Sequence, residues 1–237
     1  MNDNKILTLE NISITFNPGT PDENPALKNI NLSVNKGDFI TVIGSNGAGK
    51  STLYNIISGN LQPTTGSIKL NNQDITKLPE YKRAQYFGRI FQNPLLGTAG
   101  KMSLADNMMI CNKKGWKGLK ISLSKQRREE FKEELKKLNM GLENRLNDNV
   151  SQFSGGQRQA LTLLMSCLQK PKLLLLDEHT AALDPKTAAK VLELTEEFVN
   201  RDHLTTFMVT HNMKDAIRYG NRLIMMKDGQ VVYDVRG

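Results

Sequence analysis

Long apolar runs are missing from this 237-residue sequence: nowhere do apolar residues extend to about 18 in succession, so no membrane-spanning helix is expected. The opening, "MNDNKILTLE", has no basic region followed by an apolar stretch, so no signal peptide is expected. Cysteine is scarce. Cys111 and Cys167 form no C-x-x-C pair, and two cysteines in a chain of this size suit a reducing compartment, the cytosol by default. Internal repeats and low-complexity tails are also lacking. With 38% hydrophobic and 24% charged residues, the composition excludes wholesale disorder and leaves room for a substantial core in one large domain.

Charge is present in excess of one sign. The net charge is +8, from 32 Lys+Arg against 24 Asp+Glu. Between Lys113 and Lys137, ten basic residues meet four acidic ones, so this segment alone carries +6. A basic surface of this kind can face nucleic acid, anionic lipid or an acidic protein. The plainer expectation is a solvated helix. Glu129 with Lys132 and Glu133 with Lys137 have helical spacing, and Phe131, Leu135 and Leu138 form an apolar stripe.

The patterning predicts strands first. "ILTLENISITF" and "LKNINLSV" alternate or run β-branched, "NPGTPDENPA" between them reads as a loop, and "DFITVIG" reads as a short buried strand. "KSTLYNIISG" begins a helix ended by Gly59, and "GSIKLNNQDI" returns to strand character. From about Ala99 to Leu164 the pattern is helical. The last third alternates strand "KLLLLD", helix "PKTAAKVLELTEEFVNR", strand "TTFMVT", helix "MKDAIRYG" and strands "NRLIMMKDG" and "QVVYDV". Such alternation predicts an α/β fold with a mostly parallel sheet covered on both faces.

Gly44, Gly49, Lys50 and Ser51 fit G-x-x-x-x-G-K-[ST] between a predicted strand and a predicted helix, the context this phosphate-binding motif requires. The glycines let successive backbone N–H groups point at phosphates, and the helix N-terminus adds its positive end. Lys50 can neutralise phosphate oxygens and the Ser51 hydroxyl can ligate Mg2+. Asp177 ends the apolar strand "KLLLLD", at the sheet edge where α/β folds bind ligands, and can hold Mg2+ through water. Glu178 beside it can polarise a water for in-line attack on the γ-phosphate. His211, in "FMVTHN", ends another apolar strand; a lone histidine is more often structural, but this edge puts a γ-phosphate contact within reach. Gln92, in "RIFQNP", offers a carbonyl oxygen for Mg2+ and the attacking water, though a loop glutamine alone is weak evidence.

Together these residues resemble the ATP-binding-cassette (ABC) ATPases, over nearly the whole chain and in the family's order. The match comprises an adenine-stacking aromatic at Phe16, Walker A from Gly44 to Thr52, the Q-loop at Gln92 and the signature Ser154, Gly155, Gly156 and Gln157. It continues with Walker B from Leu173 to Glu178, the D-loop Ala182, Leu183 and Asp184, and the switch histidine His211. The resemblance implies a P-loop NTPase core formed by residues 1–98 and 165–237, an N-terminal antiparallel β subdomain, and a helical subdomain at 99–164 bearing the signature. It implies ATP and Mg2+ as cofactors. Ser45, Asn46, Gly47, Ala48 and the other Walker A residues would grip the phosphates, Ser51, Gln92 and Asp177 would hold the metal, and Glu178 would be the general base. His211 would sense the γ-phosphate, and Asp184 would make a contact across a dimer.

The resemblance also gives "SQFSGGQRQALTLL" a task. In this family two cassettes pack head to tail, and the signature of one closes over the γ-phosphate bound by the other. A serine hydroxyl, two glycine amides and a helix N-terminus are a suitable anion site. Phe16 has a competing reading as a buried strand aromatic. Two residues depart from the pattern: Phe153 stands where leucine is usual, and His179 where proline is frequent; the expectation for His179 is a turn residue without a catalytic role. "FNPGTPDENPAL" with "DEHTAALDP" resembles the bacterial import ATPases associated with a lipoprotein receptor and permease, with aromatic amino acids such as tryptophan as cargo. The expected partners are a second identical chain, an integral permease and, indirectly, an extracytoplasmic solute-binding protein, at the cytoplasmic face of the membrane. The alternative is a soluble cassette acting on ribosomes or DNA, for which the basic segment argues. Such relatives usually carry tandem cassettes or a coiled-coil insertion, which this chain lacks, and nucleic acid is not expected.

Overall fold

The computed structural model describes residues 4–111 and 124–237. The chain divides into two units. The first comprises Met1–Gly88, Pro171–Glu178 and His203–Gly237, and the second Arg89–Lys170 and His179–Asp202.

The first unit is built on two sheets. Strands β1 (Lys5–Phe16), β2 (Asn24–Asn35), β4 (Thr65–Leu70) and β5 (Gln73–Asp74) form an antiparallel sheet in the order β2-β1-β4-β5. The other sheet has the order β10-β9-β3-β8-β7-β6, from β3 (Phe39–Gly44), β6 (Phe87–Ile90), β7 (Leu173–Asp177), β8 (Thr206–Val209), β9 (Arg222–Lys227) and β10 (Gln230–Arg236). Its centre is parallel: β3 pairs with β8 and β9, and β7 with β8. Of the pairings β10–β9, β9–β3, β3–β8 and β8–β7, the first is antiparallel, because the tight Asp228–Gly229 turn returns β10 along β9. The expected α/β architecture with an antiparallel N-terminal sheet is therefore present. The loop between β1 and β2 is shorter than "NPGTPDENPA" implied. Phe16 pairs with Asn24, so the second strand begins two residues ahead of the predicted loop's end at Ala26.

Burial explains the two strand textures. In β7, Leu173 to Leu176 are all fully buried, as a strand covered on both faces requires; each contributes roughly 2 kcal/mol of transfer free energy. β1 instead alternates, with Leu7, Leu9, Ile12 and Ile14 inward. Helix α1 (Lys50–Ser58) sends Leu53, Tyr54, Ile56 and Ile57 into the core that both sheets share. Arg83, in the short α2 (Glu80–Arg83), secures the other end of α1. Fully buried, it donates from Nη1 to the carbonyls of Ile56 and Ile57 at 2.8 Å, from Nε to Leu78 and from Nη2 to Thr76. The two Nη1 bonds fall on the last turn of α1, and one of them takes up the Ile57 carbonyl, which the helix C-terminus leaves without an intrahelical partner. α7 (Met213–Tyr219) completes this unit.

The second unit is helical: α3 (Leu104–Cys111), α4 (Lys125–Lys136), α5 (Gly155–Leu168) and α6 (Pro185–Asp202). The amphipathic reading of α4 holds, with Phe131, Leu135 and the following Leu138 buried. Its ion pairs differ in part from the expected spacing. Glu129 meets Lys132, but Glu133 meets Lys136 rather than Lys137, which turns to Glu134. All are three apart, a separation that also brings helix side chains together. The part of the basic segment at 112–123 lies outside the described residues.

Candidate nucleotide site

Where β3 ends, the chain turns through Gly44–Gly49 into α1. Gly49 precedes the helix at φ 98°, and a Cβ there would press on the Ala26 carbonyl at 2.8 Å, so this position requires glycine. Gly49 offers no capping side chain, and no acidic residue stands in the first helical turn. The loop itself is held from behind. Gly229 N–H donates to the Ala48 carbonyl at 3.2 Å, and Lys28 N–H to the Gly229 carbonyl at 2.9 Å, so the β9–β10 turn braces both the loop and β2. Lys50 is 5% exposed and donates from Nζ to the carbonyls of Gly44 and Ser45 at 2.8 and 2.9 Å. Burial pushes its ammonium pKa down, opposed by the carboxylates of Glu178 and Asp177.

The acidic end of the site is set by β7. Asp177 is its last residue, and Glu178 then takes φ 44°, a left-handed backbone that strains a non-glycine residue, while its N–H donates to the Val209 carbonyl at 3.0 Å. That bond to the end of β8 brings Glu178 beside His211, two residues on. His211 Nε2 stands 2.5 Å from Glu178 Oε1.

Glu178, His211 and most of the loop surround one cleft of about 570 Å³, whose lining does not include Asp177. Phe16, Asn46 to Thr52, Glu178 and His211 line it, which gathers an aromatic ring, the glycine loop, a cation and a carboxylate–imidazole pair. Ser45 belongs to the same loop, exposed, and Gly44 begins it. The sequence reading missed Asn24 to Ala26, Lys28 and Asp228, which also line the cleft; they come from the strand β2 and from a hairpin turn, and no motif names them.

The remaining predicted residues belong to the second unit. Gln92 is exposed just after β6. Ser154 caps α5: its Oγ accepts from Gln157 N–H at 3.2 Å, while Gln157 Oε1 accepts from Ser154 N–H at 3.1 Å, a reciprocal capping box. This uses a lone pair of the hydroxyl and leaves its proton available. Gly155 is exposed, but Gly156 is buried against α6, where a Cβ would overlap the Thr187 methyl. Asp184 Oδ1 accepts from Thr187 N–H at 3.1 Å before α6; the Thr187 hydroxyl first, and then that backbone bond, hold its carboxyl below the usual range. Phe153 is buried, with the Arg145 guanidinium 4.6 Å over its ring, so the larger side chain is accommodated. His179 is 2% exposed. Thr195 Oγ1 donates to the Val191 carbonyl, so in its 3.2 Å bond with His179 Nε2 the imidazole is the donor. Burial lowers its pKa to about 4, so this is a neutral core histidine.

Comparison with known proteins agrees with this geometry. A family model described as ABC transporter matches residues 27–181. A tyrosine transport ATP-binding protein of Clostridioides difficile is 45% identical over 232 residues, 98% of this chain and 92% of that protein. A methionine import ATP-binding protein of Ligilactobacillus salivarius is 34% identical over 96% of this chain, which spans 64% of that protein's length. Among solved structures, a dimeric ATP-binding cassette in a post-hydrolysis state, bound to ADP and Pi, matches with a TM-score of 0.79 at 29% identity over 98% of both chains. The P-loop cleft, the strand ending in Asp177 and Glu178 and the capped signature helix thus belong to a member of the ABC transporter family, an ATPase cassette.

Proposed function

We propose that this chain is the motor subunit of an ABC importer, hydrolysing ATP to drive a membrane permease that takes up a small solute of the amino-acid class. The carrying observation is the convergence of Phe16, Lys50, Ser51, Glu178 and His211 on one cleft at the carboxyl edge of the parallel sheet. The cargo class is supported by the tyrosine and methionine transport relatives.

In this reading Phe16 stacks on adenine, and the amides from Gly44 to Thr52 cradle the phosphates with Lys50. Glu178 takes a proton from the water that attacks the γ-phosphorus as the bond to ADP breaks. His211 orients that carboxylate through Nε2 and reads the γ-phosphate. The donors assigned to Mg2+ are the Ser51 hydroxyl, the Gln92 amide oxygen and the Asp177 carboxylate. An all-oxygen set with a single carboxylate suits an ion that keeps waters and shares phosphate oxygens, and among the described residues no group of three His, Cys, Asp or Glu competes for it. Bound there, Mg2+ neutralises phosphate charge.

Two copies pack head to tail in this reading, each presenting Ser154, Gly155, Gly156 and Gln157 to the other's ATP, with Asp184 across the interface. A dimeric solved relative and the free hydroxyl proton of Ser154 support it. Leu95, Leu96 and Ile110 are 57%, 65% and 52% exposed in the second unit, apolar side chains that a permease contact would cover. In this reading attachment at the cytoplasmic face runs through that permease, with an extracytoplasmic solute-binding protein beyond it; among the described residues no helix is long and apolar enough to cross a membrane. Affinity purification from detergent-solubilised membranes tests the proposal. A copurifying multi-span protein is expected; ribosomal RNA in its place overturns the transport reading.

A further inference from the structure

The helix that begins at the signature carries a stripe down one face. Gly155, Gln159, Thr162 and Ser166 follow one another on α5 at steps of four, three and four, the spacing that brings side chains to one side of a helix. Each meets the segment that contains Gln92. Gln159 Nε2 donates to the Phe91 carbonyl at 2.9 Å, and the Ser166 hydroxyl to the Arg89 carbonyl at 3.5 Å. Thr162 occupies the space a Cβ on Gly97 would need, and a Cβ on Gly155 would lie 3.9 Å from Pro94. Contacts thus bracket Gln92 on both sides, and the shorter hydrogen bond falls on the residue immediately before it.

Gln159 stands out among the four. It is 1% exposed, and its Oε1 has no hydrogen-bond partner among the described residues. A buried amide oxygen without a partner opposes folding, and an apolar side chain of the same shape would fill the site without that penalty. Packing alone therefore does not account for a glutamine here. The polar bond to the Phe91 carbonyl does, because it fixes the backbone on which Gln92 rides to the helix whose cap is Ser154.

We infer that Gln159 is a positioning residue: it locks the Gln92 segment to the signature helix, so that a displacement of Gln92 on nucleotide binding carries Ser154 with it. The benefit to a partner's site rests on the two-chain reading above; the link within the chain does not. Amide hydrogen exchange of the full-length Ser154→Arg chain, with and without Mg-ATP, isolates that link. The arginine blocks pairing, and sedimentation reports the monomer. Adding Gln159→Met is expected to leave the ATP response of residues 91–98 intact. It should reduce the slowing of exchange across α5 from about fivefold to less than about twofold. Equal α5 responses with and without Gln159→Met overturn the inference, as does an α5 that ignores ATP in the Ser154→Arg chain. Ser166→Ala removes the longer bond, gives an intermediate response, and replaces Gln159→Met if that variant does not fold. An ATP-driven dimer of the Ser154→Arg chain contradicts the two-chain reading instead, and the Gln159 comparison is then made below its dissociation constant. With native Ser154, Gln159→Met lowers kcat about tenfold and leaves KM for ATP within about twofold. A merely structural defect would lower the thermal midpoint in place of that split.

Discussion

Two helix N-termini in this chain are phosphate-ready, and they are finished in opposite ways. α1 starts at a left-handed glycine with no side-chain cap, and its lysine is folded back onto the loop carbonyls of Gly44 and Ser45. α5 starts at Ser154, satisfied by its own capping box. The first terminus keeps its amides for a ligand, beside a buried cation that Glu178 and Asp177 help to balance. The second has one of its free amides, that of Gln157, taken by the Ser154 side chain, and it keeps a hydroxyl proton and the exposed Gly155 for an outside anion. In the two-chain reading proposed above, such a division holds nucleotide tightly at the first terminus and weakly at the second, the asymmetry a reversible ATP-dependent dimer needs.

The largest test of that asymmetry removes chemistry and keeps both termini. Glu178→Gln is expected to lower turnover about a thousandfold, because the amide cannot take the proton from water. Both helix ends remain able to hold ATP, so size-exclusion chromatography with ATP should show a dimer. A monomer under those conditions would mean that α5 has no part in binding the γ-phosphate.

Titration separates the two regions next. The first buries Lys50 with carboxylates beside it; the second buries His179 with no charge partner described. Below the ordinary 6.5 an unfolded His179 takes up a proton that the folded protein refuses until about pH 4. Stability therefore declines as pH falls from 6.5 to about 4, by an amount on the order of 3 kcal/mol, and is unaffected by this residue above that window. Denaturant melts of the native chain and of His179→Gln should differ in slope across that window alone. Parallel curves would refute the assignment of a neutral core histidine.

What the sequence made legible follows the same division. The P-loop, Asp177–Glu178 and the signature are local patterns: the first two lie between a strand and a helix a few residues apart, and the signature opens a helix. The alternation of strands with helices also made the mostly parallel sheet legible, though not its strand order. Arg83 was not legible: in "EYKR" it reads as a surface cation, and only the fold brings four carbonyls around it. Gln159 was hidden likewise, with its partner 68 residues away. Lys28 and Asp228 reach the cleft through strand pairing and a hairpin turn, which no linear motif encodes. The expected Glu133–Lys137 pair failed for a smaller reason: both i+3 and i+4 partners were available, and spacing does not choose between them.

The smallest effect comes from dividing the two tasks of Ser154. As an N-cap it accepts from Gln157 N–H, and in the proposed dimer it donates its hydroxyl proton to a phosphate oxygen. Ser154→Ala ends both and should cost about 1 kcal/mol, a drop of roughly 2–4 °C in Tm for a chain of this size. Ser154→Asp keeps a good capping acceptor, so its Tm should stay within about 2 °C of the native value. Yet it has no proton to give and sets a negative charge against an anion. Combined with Glu178→Gln, it should bind ATP as a monomer with unchanged affinity and fail to dimerise. If Ser154→Asp dimerised as readily as Ser154, the hydroxyl would be a cap only, and the two helix ends would differ in kind, one for a ligand and one for the fold.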